Sequence, residues 1–287
     1  MNKYYEAVEK VLSRYPISWS KNYYQNKKNL IIEYKEAEMK SVSAWYSHEE
    51  NIMTIFDSNI DASPHELFHM AFRDKEKVEK EYDKDTIYGN GVSLKNVAKN
   101  IIIFKGMTEG FAEYLSRLCN TSVGHCTEYF FTDLLISIYG EEILEYPLKN
   151  DPIGFLSYDR FYDLFRFLNY LEDYSKSTEE IQIMSYLKEE LMSIGDTNEK
   201  AKKEIFDIMN FRIEKFNKSI IGLFEAIIKE YKSCKNPTIE KELFIKKLAS
   251  FLTDPDYAVN FMLYESDFGV RKTIQKKIDS LSRHSIF

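Results

Sequence analysis

Long apolar runs are missing from this 287-residue sequence, and none approaches the roughly 20 residues needed to span a bilayer. Cysteine is scarce: Cys119, Cys126 and Cys234 are odd in number and form no CxxC pair. A disulfide framework and a cysteine-based zinc site are therefore not expected. There is no internal repeat, low-complexity tract or Gly/Ser/Pro linker. No excess of positive charge is present either. The net charge is −7, with acids and bases interleaved, which argues against nucleic acid or an anionic membrane surface as partner. The opening "MNKYYEAVEKVLSRY" has an amphipathic helix pattern and does not read as a signal peptide. The expectation is a cytoplasmic protein, although leaderless export would leave no mark on the sequence.

What is abundant is apolar and aromatic. Hydrophobic residues make up 44%, charged residues 30%, and 21 Tyr and 20 Phe supply large side chains for a core. After the first helix, "NLIIEYKEA", "SVSAWYSH" and "NIMTIFDS" are short, β-branched and partly alternating. They predict a small antiparallel sheet over residues 29 to 58, with Glu49, Glu50 and Asn51 turning between the last two strands. From Pro64 the pattern turns helical. Residues 83 to 106 are irregular around the "YGNG" turn signal, and "GMTEGFAEYLSRL" forms a second short helix.

Further helices are expected near 125–139, 159–173, 178–194, 198–216, 218–233, 238–252 and 255–282, the last broken near Gly269. Ser177 with Glu180 reads as a capping box and Gly195 as a C-terminal cap. Asn236-Pro237 and Asp254-Pro255 read as helix starts. The fold class is α+β: the sheet, two central helices, and a large all-helical C-terminal part. The expected division is a lobe over 1–122, carrying the sheet and the two central helices, and a helical lobe over 123–287 folded over the first.

The stretch "SPHELFHMAF" carries the chemistry. On a helix His65 and His69 share a face, so both imidazoles can reach one point. Zinc accepts imidazole and carboxylate in four-coordinate geometry. Glu66 stands beside such a metal, where it can take a proton from an activated water. A simpler reading also fits: Ser63 as N-cap, Pro64 at the first helical position, Glu66 closing a capping box, and two half-buried core histidines.

Two histidines leave a zinc ion short of a protein ligand. His48, His125 and His284 do not supply the HExxHxxGxxH spacing. Glu109 and Glu113 in "GMTEGFAEYLS" lie four apart among Met107, Phe111, Ala112 and Leu115. Two carboxylates in apolar surroundings are costly unless something positive compensates them. The natural division puts Glu109 on the metal and Glu113 on the free ring nitrogen of a ligand histidine, His65. The alternative is that both glutamates merely face solvent.

HELFH followed by TEGFAEY resembles the gluzincin metallopeptidases, the thermolysin-like and aminopeptidase-like zincins. The resemblance covers roughly residues 29 to 118. It implies His65, His69 and Glu109 as zinc ligands, Glu66 as catalytic base, and Glu113 as the acid supporting a ligand histidine. It also implies an edge strand lining the cleft. Two departures stand out. From His69 to Glu109 is 109 − 69 = 40 positions, which requires an extra loop, and no GAMEN-like segment marks an aminopeptidase.

The function expected is a zinc-dependent peptidase acting on a peptide or protein. Its substrate would lie extended along the edge strand near "NIMTIFDS", under the C-terminal helices. The competing function is a helical interaction protein that keeps a zincin-like core with little or no turnover. Glu66 favours the first, because a scaffold has no use for the base.

Overall fold

The computed structural model describes residues 1–36, 43–57, 59–78, 80–99, 101–157, 161–193, 199–254 and 268–283. Two compact units are present, Met1–Arg160 and Phe161–Phe287. The first holds everything singled out above for chemistry.

Its N-terminal helix α1 (Asn2–Leu12) buries Tyr4, Val8, Val11 and Leu12, a stripe at helical spacing. Helix α2 (Lys21–Lys27) follows, then a three-stranded sheet in the order β1 (Ile31–Lys35), β3 (Ile52–Phe56), β2 (Ala44–Ser47). The turn between β2 and β3 forms as expected. Asn51 adopts a left-handed φ of 59°, its side-chain oxygen accepts from Tyr46 Oη at 2.7 Å, and its amide donates to Asn26 O at 3.0 Å. The sheet is mixed rather than antiparallel, because β1 runs parallel to β3 with Ile31 opposite Ile52. That pairing covers the second edge of β3. The strand expected to face substrate is thus the central one, and the edges belong to β1 and β2.

A 3-10 turn (Ile60–Ala62) leads into α3 (Ser63–Phe72), all ten residues of which are buried. Leu67, Phe68, Met70, Ala71 and Phe72 are fully enclosed, each large side chain contributing about 1.5–3 kcal/mol. Helices α1, α2 and α4 (Lys105–Arg117) and strand β2 pack against α3.

A second sheet forms between residues 81 and 103, mostly in the stretch 83 to 106 read from sequence as irregular. It is an antiparallel meander of β4 (Glu81–Asp83), β5 (Thr86–Tyr88), β6 (Leu94–Asn96) and β7 (Ile101–Ile103). Strands of three residues, several of them charged or amide, are too short to show an alternating pattern. This sheet is what occupies the long interval between His69 and Glu109. Helix α5 (Cys126–Tyr139) lies against α4, and short helices α6 (Glu145–Leu148) and α7 (Pro152–Leu156) end the unit.

The second unit is helical: α8 (Leu164–Ser193), α9 (Glu199–Ser233), α10 (Lys241–Ser250) and a last helix, Phe268–Arg283. Where sequence signals suggested four helices between 159 and 233, two long ones run through. Thr178 donates to Tyr174 O at 3.0 Å and Ser219 to Lys215 O at 2.9 Å. Hydroxyls satisfied by the carbonyl one turn back leave the helix unbroken, so Ser177 and Glu180 sit mid-helix and cap nothing. The helix expected from Asn236-Pro237 begins at Lys241, after Glu240. Gly195, Pro255 and His284 lie outside the described residues, as does the N-terminal side of the break expected near Gly269. No helix among the described residues is long and apolar enough to cross a membrane.

Candidate metal centre

Helix α3 does not begin as a capping box. Its N-cap is Ala62, Ser63 is the first helical residue, and no side chain bonds the helix start. Ser63 Oγ instead donates to Met1 Sδ at 3.6 Å. Glu66 therefore has no capping role. It is buried and makes no hydrogen bond to a described protein group, yet it stands close enough to His65 to raise that ring's proton affinity.

One turn along, His65 and His69 point into the same space. Their Nε2 atoms are 3.0 Å apart, and Glu109 Oε2 lies 3.2 Å from the first and 3.0 Å from the second. Three donor atoms thus form a nearly equilateral triangle. Zinc–ligand bonds of about 2.0–2.1 Å at tetrahedral angles separate ligand atoms by roughly 3.3 Å, close to what is seen. Imidazole and carboxylate are also the donors zinc prefers. The residues present fit the ion.

Glu113, one turn beyond Glu109, is completely buried and reaches the other side of the same histidine. Its Oε2 is 3.3 Å from His65 Nδ1, near enough for charge pairing but off the line of a hydrogen bond. Its other contacts are well formed. Arg117 Nε donates at 2.9 Å and Ser122 Oγ at 2.5 Å to Oε1, and the Val123 amide donates at 3.2 Å to Oε2. Burial pushes the Glu113 carboxyl up, but His65, Ser122 and Arg117 outweigh it and bring the pKa down to about 2. Glu113 is thus an anion fixed in place beside the ring.

The same competition governs its neighbours. Burial disfavours a charged His65, yet the Glu109, Glu113 and Glu66 carboxylates prevail and raise its pKa to about 10. Burial likewise pushes Glu109 up, while the His69 charge, both histidine contacts and His125 hold it well below the ordinary carboxylate range. Three carboxylates around two imidazoles make a buried, negatively biased nest for a cation.

Local sequence explains why these groups meet. Gly110 sits where α4 and α5 touch: a Cβ there would lie 2.1 Å from Thr132 Oγ1 and 2.7 Å from Glu128 O. The glycine of TEG thus permits the approach that sets the height of Glu109. The YGNG turn ties both ligand helices together. Asn90 donates to His69 O at 2.9 Å, and Thr108 Oγ1 donates to Asn90 O at 3.3 Å. Gly91 makes the turn possible with a φ of +63°. At the far end of α3, Asn26 donates to Met70 O and Arg73 O, while Arg73 Nε donates to His48 O.

His65, Glu66, His69, Glu109 and Glu113 are therefore brought to one place. The solvent-facing alternative for the two glutamates does not hold, since Glu113 is buried and Glu109 faces the histidines. Sequence spacing did not single out His125. This residue caps α5, its ring stacks on His65 with centroids 5.3 Å apart and planes 19° apart, and its Nε2 is 3.6 Å from Glu109 Oε2. The triads His65–Glu109–His125, with donor atoms within 4.8 Å, and His65–His69–Glu109 share two members. The second is the tighter and has the spacing of a metal's ligand shell. Histidine's rarity, five in the chain, was the signal that could have pointed to His125. Compared with family models, curated proteins and solved structures, the chain matches none.

Proposed function

We propose that the protein is a zinc-dependent peptidase, held to this reading by one observation. His65 Nε2, His69 Nε2 and Glu109 Oε2 converge to within 3.2 Å of each other beside an uncommitted glutamate. Zinc bound there would polarise a peptide carbonyl and lower the pKa of a water. Glu66 would be the group placed to accept a proton from such a water and return it to the leaving amine. Glu113 keeps the His65 ring oriented so that Nε2 offers its lone pair inward.

The substrate reading shifts from β3 to β2. Strand β2 is an edge, exposes Trp45, and runs directly into His48, whose ring is near enough to His69 to sense its charge. An extended peptide adding to β2 would be led toward the cluster.

The experiment is turnover of a peptide library by zinc-loaded protein, side by side with Glu66→Gln. Cleavage by the wild type and none by a variant of equal zinc content is the expected result. Wild-type protein that holds zinc and cleaves nothing would sink the peptidase reading. It would leave the interaction protein, which is favoured by the exposed Ile183, Tyr186 and Leu187 on α8 and Phe206 and Phe211 on α9.

A further inference from the structure

A catalytic metal needs an open position for water and substrate, and three protein ligands leave one. In this molecule the surroundings of that position are not empty of donors. His125 stands beside the cluster, on the side of His65 and Glu109, with a chemistry the peptidase reading does not use. Its ring lies nearly parallel to that of His65, and its Nε2 and that of His65 approach the same Glu109 oxygen, at 3.6 Å and 3.2 Å. His65, Glu109 and His125 together meet the distance requirement for a metal-holding group.

The two flanking histidines differ in how they are held. His69 is buried on α3, whose backbone is tied down at the His69 carbonyl by Asn90. His125 is the N-cap residue just before α5, its side chain 38% exposed and making no capping bond. A half-exposed side chain on a helix end can change rotamer without disturbing a core.

We propose that His125 is a fourth protein donor, closing the metal site in its resting state and swinging aside to admit water and substrate. This rests on the reading of the cluster as a metal centre, and adds to it a closed form. The ligating group is the Nε2 lone pair, so release exchanges one neutral donor for another, a water, and changes no charge at the site. A closed resting site protects bystander peptides from hydrolysis. It makes substrate engagement near α5 part of activation.

The test uses the full chain loaded with zinc or cobalt(II). Zinc affinity is measured by competition with a chromophoric chelator, and coordination by the visible spectrum of the cobalt form. His125→Ala should bind zinc about 10- to 100-fold more weakly, at least the loss seen when a supporting group is removed. Its cobalt spectrum should change, and added imidazole should restore the wild-type spectrum by filling the space left. Wild-type protein should ignore imidazole at the same concentration. Far-ultraviolet circular dichroism checks folding, and His125→Gln serves if the alanine variant unfolds. An unchanged cobalt spectrum together with zinc affinity within about twofold of wild type overturns the proposal while leaving the metal centre intact. Wild-type protein that binds neither metal overturns both readings. If His125 ligates but no peptide is cleaved, the four-donor site stands and the peptidase falls.

Discussion

Glu113 Oε2 lies 3.3 Å from His65 Nδ1, while the opposite nitrogen of the same ring faces Glu109 Oε2 at 3.2 Å. One imidazole is thus held between two carboxylates a helical turn apart, one inside the cluster and one behind it. Glu113 also collects Arg117, Ser122 and the Val123 amide, whereas among the described residues Glu109 pairs with histidines. The proposed division, Glu109 on the metal and Glu113 behind the histidine, rests on this difference.

That division makes the first prediction. Glu109→Ala should nearly abolish zinc binding, and Glu113→Ala should weaken it by roughly 10- to 100-fold. Equilibrium dialysis against zinc, with metal quantified in each variant, reads both. If Glu113→Ala empties the site and Glu109→Ala keeps its zinc, the ligand lies one turn further along α4.

A second prediction concerns Gly110. Alanine is normally the better helix former by about 1 kcal/mol. Here its methyl would meet Thr132 Oγ1 at 2.1 Å and Glu128 O at 2.7 Å, so α4 and α5 must move apart. Overpacking of this kind costs about 1–3 kcal/mol. Gly110→Ala should lower Tm and weaken zinc binding together, because Glu109 is the adjacent residue. A Tm at or above wild type would show that the helices are not in the contact described.

Zinc removal gives the third. The two ligand helices are joined by apolar packing and by Asn90, so the fold should survive chelation. Bound zinc should raise stability by about 2.7 kcal/mol at a free concentration a hundred times Kd. Thermal melts followed by circular dichroism, with and without chelator, should show a shifted transition over an unchanged helical baseline. Loss of helix at low temperature on chelation would mark a structural metal instead.

The fourth prediction is a pH dependence at His48. Burial, together with Lys95, His69 and Arg73, outweighs Glu49 and lowers its pKa from 6.5. The folded state therefore binds fewer protons than the unfolded state just below that value. The stability that depends on a neutral His48 is fully present above 6.5 and declines as pH falls through it toward the folded pKa. Glu113, brought down to about 2 from 4.5, is lost only in a lower window. Denaturant unfolding from about pH 7.5 to about pH 5 should show a shallower decline in His48→Asn than in wild type. Parallel curves would mean that His48 is solvated when charged.

By itself the sequence determined the residues that can do chemistry and the helices that carry them. Spacing of four on a helix is a local property. His65 with His69, and Glu109 with Glu113, therefore shared faces before any packing was known. The β2–β3 turn was legible for the same reason, since Asn51 accepts a left-handed φ from its own side-chain chemistry. The long helices were legible as helix but not in their length, because whether Thr178 and Ser219 break a helix depends on which carbonyl they find.

Only the tertiary structure decided the rest. Parallel pairing of β1 with β3 joins segments about 20 residues apart, and no local pattern encodes which edge is taken. The three-residue strands of the second sheet are held by neighbours rather than by propensity. His125 enters the cluster because α5 packs close against α4 at Gly110, a contact between two helices and not a spacing within one. Ser63 likewise lost its capping role when the preceding 3-10 turn began the helix one residue early. Local chemistry fixed the donors, and long-range packing fixed which of them meet.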